Sequence, residues 1–153
     1  MNKLQPGSKA PAFKLTNQHD EVVQLKDFIG KKVVIFFYPK DNTPTCTIEA
    51  CSLRNDYNTL QAKGMEVIGI SPDDAKSHQK FIANFKLPFT LLSDPSKKVL
   101  EAYEVWGQKK LFGIEYMGVK RTTFLIDEKG KIAHIITAVK SKSHAQQILS
   151  LWR

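Results

Sequence analysis

The sequence predicts an α/β domain in three layers, with a central mixed sheet flanked by helices. Three observations carry that prediction. Val33 to Tyr38 is an unbroken apolar run rich in β-branched and aromatic residues, as suits a strand buried on both faces. Ala50, Leu53, Tyr57 and Leu60 follow it at steps of three and four, the stripe of an amphipathic helix. Met65 to Ile70 gives a second apolar strand, and alternation of strand and helix implies a parallel pair joined by a right-handed crossover. With 153 residues, 42 % of them hydrophobic, the chain is expected to form one domain over residues 1–153. A chain of that size buries roughly 68–70 % of its unfolded surface without staples.

Taken in order, residues 1 to 12 are polar and punctuated by Pro6, Gly7 and Pro11, an irregular surface lead-in. Residues 13–15 and 22–25 flank Asn17-Gln18-His19-Asp20 and read as two short strands around a turn. Lys26 to Lys32 is a connector in which Asp27 and Phe28 start a helical turn. After the first central strand, Pro39, Asp41, Asn42 and Pro44 stop extension. Thr43-Pro44 then opens a helix, with a hydroxyl at the N-cap and proline at the first helical position, and Gly64 ends it. Ser71-Pro72-Asp73 caps the next helix, where Ala75, His78, Phe81, Ile82 and Phe85 keep helical spacing. Leu87 to Leu92 is extended, and Asp94-Pro95-Ser96 begins a helix carrying Val99, Leu100 and Tyr103. Residues 105 to 118, with Gly107, Gly113 and Gly118, read as a loop. Arg121 to Asp127 and Lys131 to Ile136 make a hairpin around Glu128-Lys129-Gly130, and a final helix runs from about Ser143 to Trp152.

Composition narrows the function classes. The net charge of +8 is uneven: residues 1 to 76 hold ten basic and nine acidic side chains, residues 77 to 153 thirteen and six. The lysines of the second half come mostly as separated pairs, Lys97-Lys98 and Lys109-Lys110, without interleaved exposed aromatics, so no nucleic acid is expected as a partner. The start, MNKLQPGSKAPAFK, lacks the apolar core of a signal peptide, and no run approaches a membrane span, so a cytoplasmic location and no membrane are expected. In a reducing compartment two cysteines read as catalytic rather than structural. His19, His78, His134 and His144 show no ligand spacing with the cysteines, and no metal site is expected.

Cys46 falls in the first turn of its helix and heads the apolar stripe. A thiol there lies beside free backbone N–H groups and the positive end of the helix dipole, both of which favour thiolate, so Cys46 is a candidate nucleophile. The plainer account is a small buried hydrophobe. Cys51 lies five residues on, and ideal helix geometry sets the two Cα atoms about 8.6 Å apart and roughly 140° around the axis. A disulfide needs Cα atoms closer than about 7 Å. The pair can react only if the start of the helix unwinds, which suits a catalytic cycle better than a permanent staple.

Pro39, Thr43 and Cys46 together match the peroxiredoxin active-site signature, and TPTCTIEAC closely resembles the TPGCTxEAC of the Q-type peroxiredoxins, also called bacterioferritin comigratory proteins. The likeness extends through Gly7 to Phe13, DFIGKKVVIFFYPKDNTP and YMGVKRTTFLIDEKGKI, nearly the whole chain. It implies a thioredoxin-like fold with an N-terminal extension and an insertion before the hairpin. It also implies a thioredoxin-dependent thiol peroxidase that reduces hydrogen peroxide and organic hydroperoxides with no metal or organic cofactor. In that scheme Cys46 attacks the peroxide and becomes a sulfenic acid, and Cys51 resolves it as an intramolecular disulfide that thioredoxin or glutaredoxin reduces. Thr43 would lie within reach of the sulfur and the peroxide oxygen, Arg121 would set a cation beside the thiolate, and Pro39 would shield the pocket. The expected state is a monomer, with weak dimerisation as the alternative. Thr45 stands where the Q-type motif has glycine, and a β-branched residue would be strained at positive φ; the resemblance to other peroxiredoxin branches, which also place a β-branched residue before the cysteine, implies a helical φ there.

Two rivals remain at this point. A thioredoxin-like disulfide reductase wants Cys-x-x-Cys, not the four-residue separation of Cys46 and Cys51. The other is a non-enzymatic thioredoxin-like interaction module with inert thiols, whose basic half binds an acidic partner. In those terms Thr43 is only a helix cap and Arg121 an ordinary surface cation.

Overall fold

Every side chain from Val33 to Tyr38 is at most 1 % exposed. In the computed structural model, which describes residues 3–152, these residues form and extend the central strand β3 (Lys32–Phe37). Before it come β1 (Lys14–Asn17), β2 (Val22–Gln24) and a 3-10 turn, Leu25–Phe28. After it come β4 (Met65–Ser71), β5 (Thr90–Ser93), β8 (Thr122–Ile126) and β9 (Ile132–Ile136), with a separate pair, β6 (Trp106–Leu111) and β7 (Ile114–Val119), inserted between β5 and β8. The helices are α1 (Pro44–Asn55), α2 (Tyr57–Ala62), α3 (Ala75–Phe85), α4 (Lys98–Ala102) and α5 (His144–Leu151). Among the described residues the main sheet has seven strands in the order β2-β1-β5-β4-β3-β8-β9. β3 runs parallel to β4 and antiparallel to β8, so the sheet is mixed and flanked by helices, as expected.

The period of two along β3 sorts its side chains between two cores. Val33, Ile35 and Phe37 join Phe13, Leu100, Tyr103 and Phe124 on one face. Val34, Phe36 and Tyr38 join Cys46, Ala50, Leu53, Leu60, Phe81 and Ile148 on the other, the face covered by α1, α2, α3 and α5. Cys46 is thus placed by the same stripe that buries its helix. Among the described residues no helix is long and apolar enough to cross a membrane.

Four readings of the elements are corrected. Residues 105 to 118 are a hairpin rather than a loop: β6 and β7 pair from Trp106↔Val119 to Leu111↔Ile114. The glycines that read as breakers lie opposite each other, Gly107↔Gly118, and Phe112 and Gly113 take φ of 52° and 79°, the two left-handed positions of a tight hairpin turn. The long first helix is interrupted at Asp56 (φ −113°, ψ 16°), which divides α1 from α2. The cap of α3 is Asp74, whose side chain accepts from the Ser77 N–H at 2.8 Å. Asp94 does not start a helix directly; buried, it accepts from the Leu100 N–H at 2.8 Å, and α4 begins after Lys97.

Candidate active site

The segment between β3 and α1 is fixed from below by Asp41. Its Oδ1 accepts from Tyr38 Oη at 2.5 Å and its Oδ2 from Ser77 Oγ at 2.8 Å, while His78 Nδ1 stands 2.7 Å from Oδ2. Its own N–H donates to Asp73 Oδ2 at 2.8 Å. Asp41, Asp73 and His78 are close enough together to suggest a cation site. Both ring nitrogens of His78 are engaged, however, the second by the Leu92 carbonyl at 3.1 Å, so the group is a hydrogen-bond network that anchors the loop to α3. Pro39 is half-buried in that loop, and Asn42, at φ 61°, turns the chain into the helix.

Thr43 occupies the N-cap with extended backbone (φ −87°, ψ 155°), but its hydroxyl makes no cap bond. It donates instead to the Lys40 carbonyl at 2.8 Å, and among the described residues it makes no hydrogen bond to the Cys46 sulfur. The expected hydroxyl cap is therefore corrected: the proton is committed to the loop, and the oxygen lone pairs stay available to a bound donor. Thr45 is helical, as expected. The Thr47 N–H closes the first turn on the Thr43 carbonyl at 2.9 Å, whereas the Thr45 and Cys46 N–H groups have no partner among the described residues. They are free donors at a helix start.

Cys46 is reduced and 1 % exposed. Antiparallel pairing of β8 with β3 ends at Phe37↔Thr122, which brings the preceding residue, Arg121, to the start of α1. Its Nη2 donates to Cys46 Sγ at 3.1 Å and its Nη1 to Glu49 Oε1 at 2.6 Å. Burial alone would lower the guanidinium, but the sulfur and the Glu49 carboxylate outweigh it and hold Arg121 above its ordinary value. Glu49 is wholly buried, and burial pushes its carboxyl up to about 7 against the pull of Arg121. Behind it His144, buried on α5, lies 3.5 Å away.

The structure brings Arg121, ahead of β8, against Cys46 and sets Thr43 at the entrance to α1. Cys51 is half-buried and free, further along the same unbroken α1, so the two thiols are held apart. Glu49 and His144 were missed. The signal for Glu49 was there: an acid three residues after Cys46 shares the buried stripe with Ala50 and Leu53. A cavity of 240 Å³ opens beside Arg121, lined also by Tyr103, Glu104, Lys120 and Thr122, but Cys46 does not line it.

A cysteine held against a guanidinium at the mouth of a helix, on a sheet of this order, belongs to the thioredoxin-like thiol peroxidases. The sequence pattern of the AhpC/TSA family matches residues 6–135, and the chain belongs to that family. It is 48 % identical to the putative peroxiredoxin bcp of Haemophilus influenzae, covering all of this chain and 99 % of that one. It is 44 % identical to peroxiredoxin Bcp of Bacillus subtilis, over 95 % of this chain and 93 % of that one. A solved structure of the Xanthomonas campestris bacterioferritin comigratory protein, described for alkyl peroxide reduction activity, superposes with a TM-score of 0.86 at 29 % identity, covering 98 % and 96 % of the two chains. The chain is therefore an enzyme, a peroxidase of the peroxiredoxin type.

Proposed function

We propose that the protein reduces hydrogen peroxide and organic hydroperoxides at Cys46, passes through a sulfenic acid and a Cys46–Cys51 disulfide, and is recycled by thioredoxin or glutaredoxin. The observation that carries this reading is the 3.1 Å contact between Arg121 Nη2 and Cys46 Sγ at the start of α1. A guanidinium there balances a sulfur anion, and the free Thr45 and Cys46 N–H groups suit the oxygens of a peroxide. The sulfur attacks one oxygen, the O–O bond breaks, and the other oxygen leaves with a proton as water or alcohol. With Cys46 only 1 % exposed, the substrate reaches it when the guanidinium or the first helical turn shifts aside. The Xanthomonas protein's alkyl peroxide reduction supports the organic substrates. Pro39 at the loop surface shields the intermediate from water. No metal or organic cofactor enters these steps.

Cys51 reaches Cys46 only after the first turns of α1 unwind, because about 8.6 Å of intact helix exceeds disulfide reach. Both cysteines lie on one chain, so a monomer suffices, and the proposed setting is the cytoplasm. Family membership sets aside the module with inert thiols. Stoichiometric hydrogen peroxide added to the reduced protein is expected to remove both free thiols within seconds and leave a monomer carrying one disulfide. Cys46→Ser is expected to lose that response, and Cys51→Ser to accumulate sulfenic and then sulfinic acid at Cys46. Peroxide consumption by Cys46→Ser at the parental rate would end the assignment. Steady-state turnover with thioredoxin and glutaredoxin systems identifies the reductant.

A further inference from the structure

The two oxygens of the buried Glu49 carboxyl are treated differently. Oε1 accepts from Arg121 Nη1 at 2.6 Å, whereas Oε2 has no hydrogen-bond partner among the described residues. Across from Oε2, at 3.5 Å, stands Nε2 of His144. The state of that nitrogen follows from its neighbours. Gln147 Nε2 donates to the Ala138 carbonyl at 2.9 Å, so Gln147 Oε1 faces His144 Nδ1, at 2.9 Å, and also accepts from the Lys140 N–H. Nδ1 therefore carries the ring proton. Burial, opposed by Gln147 and aided by the charge of Arg121, holds His144 below its usual range and so favours the neutral ring. Its Nε2 offers a lone pair, which accepts from Thr123 Oγ1 at 2.7 Å. An ionised Glu49 thus turns an acceptor toward an acceptor. The titratable and charged groups facing it are Cys46 from its own helix through Arg121, Arg121 from the edge of β8, and His144 from α5.

α1 is tied to α5 at one further turn and at its C-cap, where donors and acceptors match. Ala145 N–H donates to Ser52 Oγ at 3.3 Å, and Gln146 Nε2 donates to Asp56 Oδ2 at 2.7 Å. Along this seam the mismatch sits at Glu49, one turn past Cys46.

We propose that Glu49, through its unpartnered carboxylate oxygen, loads α1 toward unwinding and so sets how readily Cys51 reaches an oxidised Cys46. The inference rests on the disulfide mechanism proposed above. Unwinding carries Glu49 into water, where its ionised form is fully hydrated, so ionisation penalises the closed helix and not the open one. The closed helix holds Glu49 at about 7 against an ordinary 4.5. Its protonated form therefore favours the closed helix fully below the lower value, and that support is lost as the pH rises through the upper one. The step it serves is balanced: the Cys51 sulfur attacks the Cys46 sulfur, the S–S bond forms, the S–O bond of the sulfenic acid breaks, and hydroxide leaves with the Cys51 proton as water. The oxidising equivalent comes from the peroxide.

Rapid mixing at peroxide concentrations where disulfide formation no longer depends on peroxide isolates this step, scored by acid quench, alkylation and mass. The parent and Glu49→Gln are compared from pH 5 to 8; any pH dependence common to the two proteins cancels in their ratio. The ratio of parent to variant is expected to rise about tenfold or more across this range and to level off above pH 7. Glu49→Gln should also slow amide exchange in α1 at pH 8 and raise the yield of sulfinic acid. A ratio flat with pH, with disulfide forming in both proteins, overturns the role of Glu49 and leaves the disulfide mechanism standing. Failure of the parent to form a disulfide at all sinks that mechanism and this inference with it. Should Glu49→Gln not fold, His144→Gln tests the same contact by giving Oε2 an amide donor: slower disulfide formation at pH 8 is expected, and an unchanged rate overturns the proposal.

Discussion

Arg121 serves two atoms at once because its guanidinium is a rigid fork, with one arm on Cys46 Sγ and the other on Glu49 Oε1. A lysine keeps the charge but presents a single ammonium that cannot bridge both. Arg121→Lys is therefore expected to lower the second-order rate constant with hydrogen peroxide by about 10²-fold, near the loss seen when one preorganised donor is removed. Stopped-flow measurement under pseudo-first-order conditions reads this directly; a parental rate would show that charge alone is enough. At this scale the sequence was legible where a residue belongs to a spaced motif. Cys46, Thr43 and Arg121 could be named from TPTC and VKRTTF. Glu49, although its place on the stripe of Cys46 was a signal, was passed over because an acid on a helix ordinarily faces water, and the arginine that permits its burial lies 72 residues away. The Thr43 hydroxyl was placed on the wrong partner because its position fixes the cap but not its rotamer.

Between β3 and α1 the segment that leads to Cys46 depends on side chains outside the candidate site. Asp41 takes bonds from Tyr38 and Ser77 and pairs with His78, and the pair is wholly shielded from solvent. Asp41→Ala leaves those groups without their acceptor and is expected to destabilise the protein by about 3–5 kcal/mol, measured by urea denaturation. A change below about 1 kcal/mol would mean that the loop anchors itself elsewhere. Gly69 of β4 is a second such point: a Cβ there would lie 2.7 Å from Leu91 Cδ2 and 2.7 Å from Phe36 Cζ. Gly69→Ala should cost about 1–3 kcal/mol by overpacking, read as a fall in Tm of roughly 2–4 °C per kcal/mol. Elements whose apolar period is long were legible, β3, β4 and α3 among them. The β6–β7 hairpin was not, because Leu111, Phe112, Ile114 and Met117 point to solvent and give no buried face for a pattern to follow. Its glycines, read one at a time, looked like breaks.

Across the whole molecule, the alternation of strands and helices disclosed the layers but not the order of the sheet. Periodicity reports which face a strand buries, not which strand lies beside it, so the antiparallel placement of β1 against β5 could not be read. The response to pH is likewise a property of the assembled layers, since two groups buried between α1 and α5 act in opposite senses. His144 is held below 6.5 chiefly by burial, so the stability it contributes is present above that value and is lost on acidification. Glu49 is held at about 7 against 4.5, so its contribution is fully present below the lower value and is lost as the pH rises through the upper one. A shift of that size corresponds to up to about 3 kcal/mol. Glu49→Gln makes the side chain permanently neutral while keeping an oxygen for Arg121. It should therefore raise the urea midpoint above that of the parent at pH 8, and the advantage should shrink toward nothing near pH 4. A variant less stable than the parent at pH 8 would show that the ion pair with Arg121 outweighs the burial of the charge, and that the closed helix is held by Glu49 rather than loaded by it.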